Sequence, residues 1–269
     1  MRRKAIFFDI DGTLWDGQSV MPESVYSAFR EMKAAGHAVL ICSGRSRGYV
    51  FDERLSELGF DGYVTSAGAM VEIGGETLYC RIAPSESITN AVNAARAYRY
   101  APLLEGNRYL YMERGEFIPT AYIDKLYREL GERIHSLDAV FGDWPDVTKL
   151  SMIASEEPCP QPVIEAVKND WDVIVHTPEI LELTPRGIDK GTGLRLALEA
   201  MGIPQEDSVA FGDSANDQAM FRESGLRIAM GNGAPALKAQ ADYVTTDLHD
   251  DGIWNAWPWL KGNLCKHGI

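Results

Sequence analysis

Two aspartates stand two residues apart in Asp9-Ile10-Asp11-Gly12-Thr13, directly after the apolar run Ala5-Ile6-Phe7-Phe8. The run reads as a buried parallel strand. Strand alternation, if it continued, would put both carboxylates on one side. Carboxylates held that close repel unless a proton or a cation lies between them. A hard divalent cation with oxygen ligands meets that need, and magnesium is the usual one beside phosphate. The plainer reading is a strand-end turn, since Asp and Gly are common turn residues.

Three further groups change the balance. Ser43-Gly44-Arg45 follows the apolar strand Ala38 to Cys42. The Ser43 hydroxyl and the amides around Gly44 can hold phosphate oxygens, although Ser-Gly is also an ordinary loop pair. Lys190 follows Gly187-Ile188-Asp189 at the start of a predicted helix. Its ammonium would meet phosphate as a compact charge beside the positive helix end. Gly212-Asp213-Ser214-Ala215-Asn216-Asp217 follows the strand Ser208 to Phe211. Asp213 could join a metal site, while Asn216 and Asp217 could simply cap a helix. Each group alone is ordinary. In chain order, four strand ends or helix starts carry an acid pair, a hydroxyl, a lysine and an acid cluster. Phosphoryl transfer needs that set: a nucleophile, metal ligands and phosphate clamps.

The elements that must position these groups alternate at both ends of the chain. Helical spacing over Pro22 to Ala35 is closed by Gly36, and a second helix is expected from Tyr49 to Leu58 before the strand Gly62 to Thr65. Strand and helix alternate again from Thr192 to Thr245. This order argues for a parallel sheet with right-handed crossovers, an α/β fold. The middle mixes helices with strands, including a hairpin around Gly106-Asn107. It suits an α+β module with an antiparallel sheet and helices on one face. The expected organisation is one core from residues 1–83 and 185–269, with residues 84–184 inserted.

Bulk properties narrow the partners. The chain has 269 residues, 45% apolar, enough for a packed core of one large or two moderate domains. A formal charge of −13 opposes nucleic-acid and anionic-lipid binding. An anionic substrate would need a local cation or base. Cys42, Cys80, Cys159 and Cys265 form no metal knuckle or redox pair. Reduced thiols fit a cytoplasmic location. The basic start Met1-Arg2-Arg3-Lys4 leads into only four apolar residues, so neither secretion nor a membrane span is supported.

On these motifs the chain resembles, over its whole length, the haloacid dehalogenase superfamily, and more narrowly its Cof-type sugar-phosphatase branch with a type IIB cap. Leu183-Thr184-Pro185-Arg186-Gly187, Ala229-Met230-Gly231-Asn232-Gly233 and Asp250-Asp251-Gly252 add to the likeness, while Ser214-Ala215 departs from the usual Gly-rich step. The resemblance implies a Rossmann-like doubly wound core with an inserted α+β cap that closes over the site and selects the leaving group. It implies a magnesium-dependent phosphatase of small phosphorylated metabolites. Sugar phosphates are the expected class, and hexose phosphates, erythrose-type phosphates, flavin mononucleotide and pyridoxal phosphate all stay open as the substrate. Asp9 would attack phosphorus and form an aspartyl-phosphate. Asp11 would protonate the leaving oxygen and then activate water. The Asp9 carboxylate, the Asp11 main-chain carbonyl and the Asp213 carboxylate would hold magnesium. Ser43, Gly44, Lys190 and Asn216 would bind phosphate, with Asp217 and Thr13 in support. Arg45, Asn107, Arg108 and Arg186 are the leaving-group candidates. A phosphomutase or a sucrose-phosphatase-like member of the superfamily is the nearest alternative. A phospho-accepting signalling module is the alternative from another class. Trp254, Trp257 and Trp259 are read as core packing or a contact surface, and the oligomeric state is left open.

Overall fold

Both faces of the Ala5–Phe8 strand are apolar, and both are covered. Ala5 and Phe7 pack with Leu194, Ala197 and Leu198 of the helix Lys190–Met201. Phe8 turns the other way, 4.6 Å from Phe29 of the helix Glu23–Ala34 and 4.7 Å from Phe211. A strand buried on both sides needs a continuous apolar run, which is what the sequence supplies there.

The structure is a computed structural model and describes residues 2–112, 121–154 and 157–264. It divides into two units, Met1–Gly44 with Asp52–Tyr79 and Asp189–Ile269, and Arg45–Phe51 with Cys80–Ile188. In the first unit the sheet order is Tyr243–Val244, Leu226–Ala229, Ser208–Gly212, Ala5–Phe8, Ala38–Cys42, Gly62–Thr65, Met70–Ile73 and Glu76–Cys80. The first six strands run parallel, and Met70–Ile73 pairs antiparallel with Gly62–Thr65. This is the doubly wound, Rossmann-like α/β core. Strand order reverses beside Ala5–Phe8, the place where open sheets of this kind bind ligands beyond their carboxyl ends.

The second unit has the sheet order Trp171–Thr177, Ile180–Pro185, Val147–Ala154, Tyr100–Gly106, Leu110–Met112 and Ile134–His135. All its pairs are antiparallel except the last. The helices Ser85–Ala97 and Pro160–Val167 supply Ile88, Ala91, Val92, Val163 and Val167 to one face. The helix Ala121–Leu130 places Ile123, Leu126 and Leu130 against Ala101, Leu103 and Ile153 on the other. The expectation of helices on one face is therefore corrected. The strands alternate apolar residues to both faces, so each face needs cover.

A second correction concerns the expected helix from Tyr49 to Leu58. The chain instead forms a short 3-10 turn, Arg47–Tyr49, and then the helix Glu53–Glu57. Asp52 caps that helix by accepting the Arg54 amide, so helical geometry starts after it. Of the tryptophans, Trp257 is buried, Trp259 stacks on Tyr243 at 4.5 Å, and Trp254 is exposed. Cys42, Cys80 and Cys159 are free thiols, and Cys265 lies outside the described residues. Among the described residues, no helix is long and apolar enough to cross a membrane.

Candidate active site

Asp9 emerges where Ala5–Phe8 ends, its amide donating to the Phe211 carbonyl at 3.1 Å. The parallel register Phe8 to Phe211 brings Asp213, from the next strand, out at the same edge. Across the sheet Asp9 meets Lys190. Asp189 caps the Lys190 helix by accepting the Thr192 amide at 2.9 Å, which fixes where the lysine leaves the backbone. Lys190 is 1% exposed and donates to Asp9 Oδ1 at 2.6 Å and to Asp217 Oδ1 at 2.7 Å.

Asp217 is itself held. Its Oδ2 accepts the amides of Asp213 and Ser214 at 2.9 and 3.0 Å, and with Ser214 it completes a capping box. The hydroxyl of buried Thr13 donates to Asp213 Oδ1 at 3.4 Å. Two glycines permit this crowding. Gly12 has φ +88°, and a Cβ there would lie 2.4 Å from Asp213 Oδ2. A Cβ on Gly212 would lie 2.6 Å from Asp217 Cγ.

The charges do not balance within the protein. Burial raises the Asp9 carboxyl well above its ordinary range; Lys190 opposes this, while Asp217, Asp213 and Asp11 reinforce it. Burial, with Asp217 next, pushes Asp213 up to about 7. Burial works against the Lys190 ammonium, but Asp217 and Asp9 outweigh it and hold the charge. Asp9, Asp213 and Asp217 each offer an oxygen within 4.8 Å of the others. Asp217 spends its oxygens on Lys190 and two amides, so Asp9 and Asp213 are the better cation ligands. An all-oxygen set with surplus negative charge suits a hard divalent ion.

The site thus brings together Asp9, Thr13, Lys190, Asp213 and Asp217. Asp11 follows Asp9 on the same loop, and Trp15 Nε1 donates to its Oδ1 at 3.0 Å. Ser43 follows the strand Ala38–Cys42 beside Ala5–Phe8; it is buried, and its amide donates to Val64 O at 2.9 Å. Gly44 closes that segment of the first unit. Asn216 accepts the Ser214 hydroxyl at 2.9 Å, so its side chain is engaged within its own loop.

The leaving-group candidates belong to the second unit. The Arg45 guanidinium lies 4.3 Å from the Tyr49 ring centre. Asn107 donates through Nδ2 to Cys80 Sγ at 3.2 Å. Arg108 lies exposed 5.1 Å from the Tyr109 ring centre. Arg186 donates to the Lys168 carbonyl at 2.8 Å, at the end of the helix Pro160–Val167, a helix-capping contact.

Two residues beyond the sequence-based set act on the site loops. One is Trp15. The other is Asn232, whose Nδ2 donates to Gly12 O at 2.7 Å while its Oδ1 accepts the Leu248 amide at 3.0 Å. Adjacency to the Asp9–Thr13 motif was the available signal for Trp15. The Asn232 contact joins loops far apart in sequence, and the available signal was its place in Ala229-Met230-Gly231-Asn232-Gly233, a motif that carries likeness but no role.

Comparison with known proteins finds relatives over nearly the whole chain. The profile of the haloacid dehalogenase-like hydrolases matches residues 6–256. YkrA of Bacillus subtilis, a protein provisionally named a phosphatase, is 28% identical over 260 residues, 94% of this chain and 96% of that one. The 5-amino-6-(5-phospho-D-ribitylamino)uracil phosphatase YitU of Bacillus subtilis is 26% identical over 266 residues, 92% of this chain and 94% of that one. A hypothetical protein from Geobacillus kaustophilus superposes with TM-score 0.83 at 27% identity, covering 97% of this chain and 99% of that one. A solved haloacid dehalogenase subclass IIB sugar phosphatase superposes with TM-score 0.82 at 25% identity, covering 96% of this chain and 99% of that one.

Proposed function

The chain belongs to the haloacid dehalogenase-like hydrolases and is a phosphatase of that family; we propose that it hydrolyses small phosphorylated metabolites, sugar phosphates foremost, with magnesium and through an aspartyl-phosphate on Asp9. The observation that carries this reading is the buried Lys190 ammonium bonded to Asp9 and Asp217 beside Asp213. Names of two relatives support the substrate class. Sugar phosphates and a phosphorylated ribityl group are both phosphate esters on hydroxyl-rich carbon chains.

The steps follow from the side chains. Lys190 takes Asp9 Oδ1, so attack falls to Oδ2. A bond forms between Asp9 Oδ2 and phosphorus as the ester oxygen leaves with a proton from Asp11. Water then attacks the aspartyl-phosphate and gives its proton to Asp11. Asp9 is released as carboxylate, with inorganic phosphate as product. Ser43, the Gly44 amide and Lys190 hold phosphoryl oxygens through both steps. Asp217 keeps Lys190 in place. Asp9 and Asp213 would hold magnesium, with the Asp11 carbonyl as a further ligand. When bound, the ion offsets negative charge on the carboxylates and the phosphoryl group.

The test compares two proteins. Wild type should release p-nitrophenol from p-nitrophenyl phosphate with added magnesium, and Asp9→Asn should lose about a thousandfold or more in kcat. Near-wild-type turnover by Asp9→Asn would refute the nucleophile. Phosphate release across a panel of hexose, pentose, flavin and pyridoxal phosphates then tests the substrate class. A preference outside hydroxyl-rich esters would overturn that part alone.

A further inference from the structure

Asp9, Thr13, Lys190 and Asp217 are buried, whereas Asp11 is exposed. An exposed aspartate rotates about two side-chain bonds, and water competes for its oxygens. A proton-transfer group gains little from being nearby unless it is also aimed.

The structure aims it through Trp15. The indole Nε1–H can only donate, and it donates to Asp11 Oδ1 at 3.0 Å. Trp15 is itself fixed. The residue is 2% exposed. Its carbonyl accepts the Gly12 amide at 2.7 Å, its amide donates to Ile10 O at 3.2 Å, and Asp11 and Trp15 form a β-bridge. The Arg54 guanidinium lies 5.3 Å from the ring centre. Asp52 grips that guanidinium at Nε, 2.9 Å, and at Nη2, 2.7 Å, while Nη1 donates to the Ser19 carbonyl. A connected series, Asp52 to Arg54 to Trp15 to Asp11, thus runs from a helix cap to the reacting loop.

We propose that Trp15 is a positioning residue that aims the Asp11 carboxylate during proton transfer; the role rests on the acid/base reading of Asp11 given above. With Oδ1 tied to the indole, the proton travels on Oδ2. It passes to the ester oxygen as the bond from phosphorus to that oxygen breaks. It is recovered from water as the aspartyl-phosphate opens. A tryptophan present only to fill the core would satisfy its N–H in the same place, so the test must read proton transfer and not merely stability.

Trp15→Phe keeps an aromatic body against Arg54 and removes the N–H. Phenyl phosphate and p-nitrophenyl phosphate have similar shapes, but phenolate is the more basic leaving group and needs the proton more. In single turnovers with magnesium, Trp15→Phe should slow phenol release about tenfold or more, and p-nitrophenol release less than about threefold. KM for both should stay within about twofold. Equal slowing of both substrates, or slowing of neither, would overturn the proposal. A melting curve checks that the variant folds; if it does not, benzothienylalanine in place of Trp15 keeps the ring shape and exchanges N–H for sulfur. Asp11→Asn separates the two readings. If it still turns over phenyl phosphate, the acid/base reading of Asp11 fails. If it is inactive on phenyl phosphate while Trp15→Phe slows both substrates alike, only the role of Trp15 falls.

Discussion

A lysine ammonium buried to 1% exposure is tolerable only beside counter-charges, and Lys190 has two. Two acids after an apolar strand read first as a turn, and Asp9 and Asp11 became legible as a site only beside the later motifs. The lysine was legible only in combination, since an isolated lysine is ordinarily solvated. What the sequence could not show is the depth of burial that sharpens the surplus of negative charge at the site. Asp213 records it, with its carboxyl pushed up to about 7 by burial and then by Asp217. The pH dependence follows. A carboxyl raised in the folded state binds a proton that the unfolded chain has already released. Its contribution to stability is complete below its ordinary value of 3.8 and is lost as pH rises through about 7. A divalent ion must displace that proton, so apparent magnesium affinity should climb about tenfold per pH unit below neutrality and level off above it. Melting temperatures with and without magnesium between pH 5 and pH 8, roughly the range spanning that titration, measure both effects. Asp213→Asn should remove most of the magnesium response and flatten its pH slope. An unchanged slope in Asp213→Asn would assign the proton to another group.

Strand ends and helix starts do the positioning, and their tolerances are tight. Ser208–Gly212 ends on a glycine because Asp217 folds back against it to reach the Asp213 and Ser214 amides. That side chain also carries Lys190, so it has no direction in which to yield. Gly212→Ala should therefore act through geometry. Overpacking of this kind costs about 1–3 kcal/mol. The displaced Asp217 and Lys190 should lower kcat about a hundredfold, as small misplacements of reacting groups do. Gly17→Ala is the control, because a Cβ there meets nothing within 4 Å. It should stay within about 0.5 kcal/mol of wild type. Urea midpoints and kcat for the two variants decide the matter: if both behave alike, the close packing at Gly212 is not what holds the site. At this scale the parallel strands were readable from continuous apolar runs. The Met70–Ile73 and Glu76–Cys80 hairpin was not among the expected strands, although Gly74 and Gly75, at φ +59° and +87°, mark its turn.

Across the whole molecule, local periodicity explains the alternating elements of the core and the mixed character of the inserted segment. It does not show where the units divide, because that depends on contacts between residues far apart in sequence. The segment Arg45–Phe51 joins the second unit in this way. Tyr49 donates its hydroxyl to Glu129 at 3.0 Å, and the Arg133 guanidinium lies 4.3 Å from the Phe51 ring centre. Both aromatic rings pack against the cluster that includes Leu103, Met112, Ile123, Leu126 and Ile153. Burial lifts the Tyr49 hydroxyl pKa, consistent with a ring taken out of water. A fragment of residues 80–188 alone would leave that cluster uncovered and invite self-association. The same fragment carrying residues 45–51 on a flexible Gly/Ser linker should recover the cover. Two half-buried aromatic rings are worth about 2 kcal/mol or more together, which in a domain of this size is a melting shift of about 10 °C. Melting curves and sedimentation of the two fragments test it. Equal melting temperatures and equal monomer content would mean that the second unit holds its fold without residues 45–51, and that Tyr49 and Phe51 lie on a surface that is already complete.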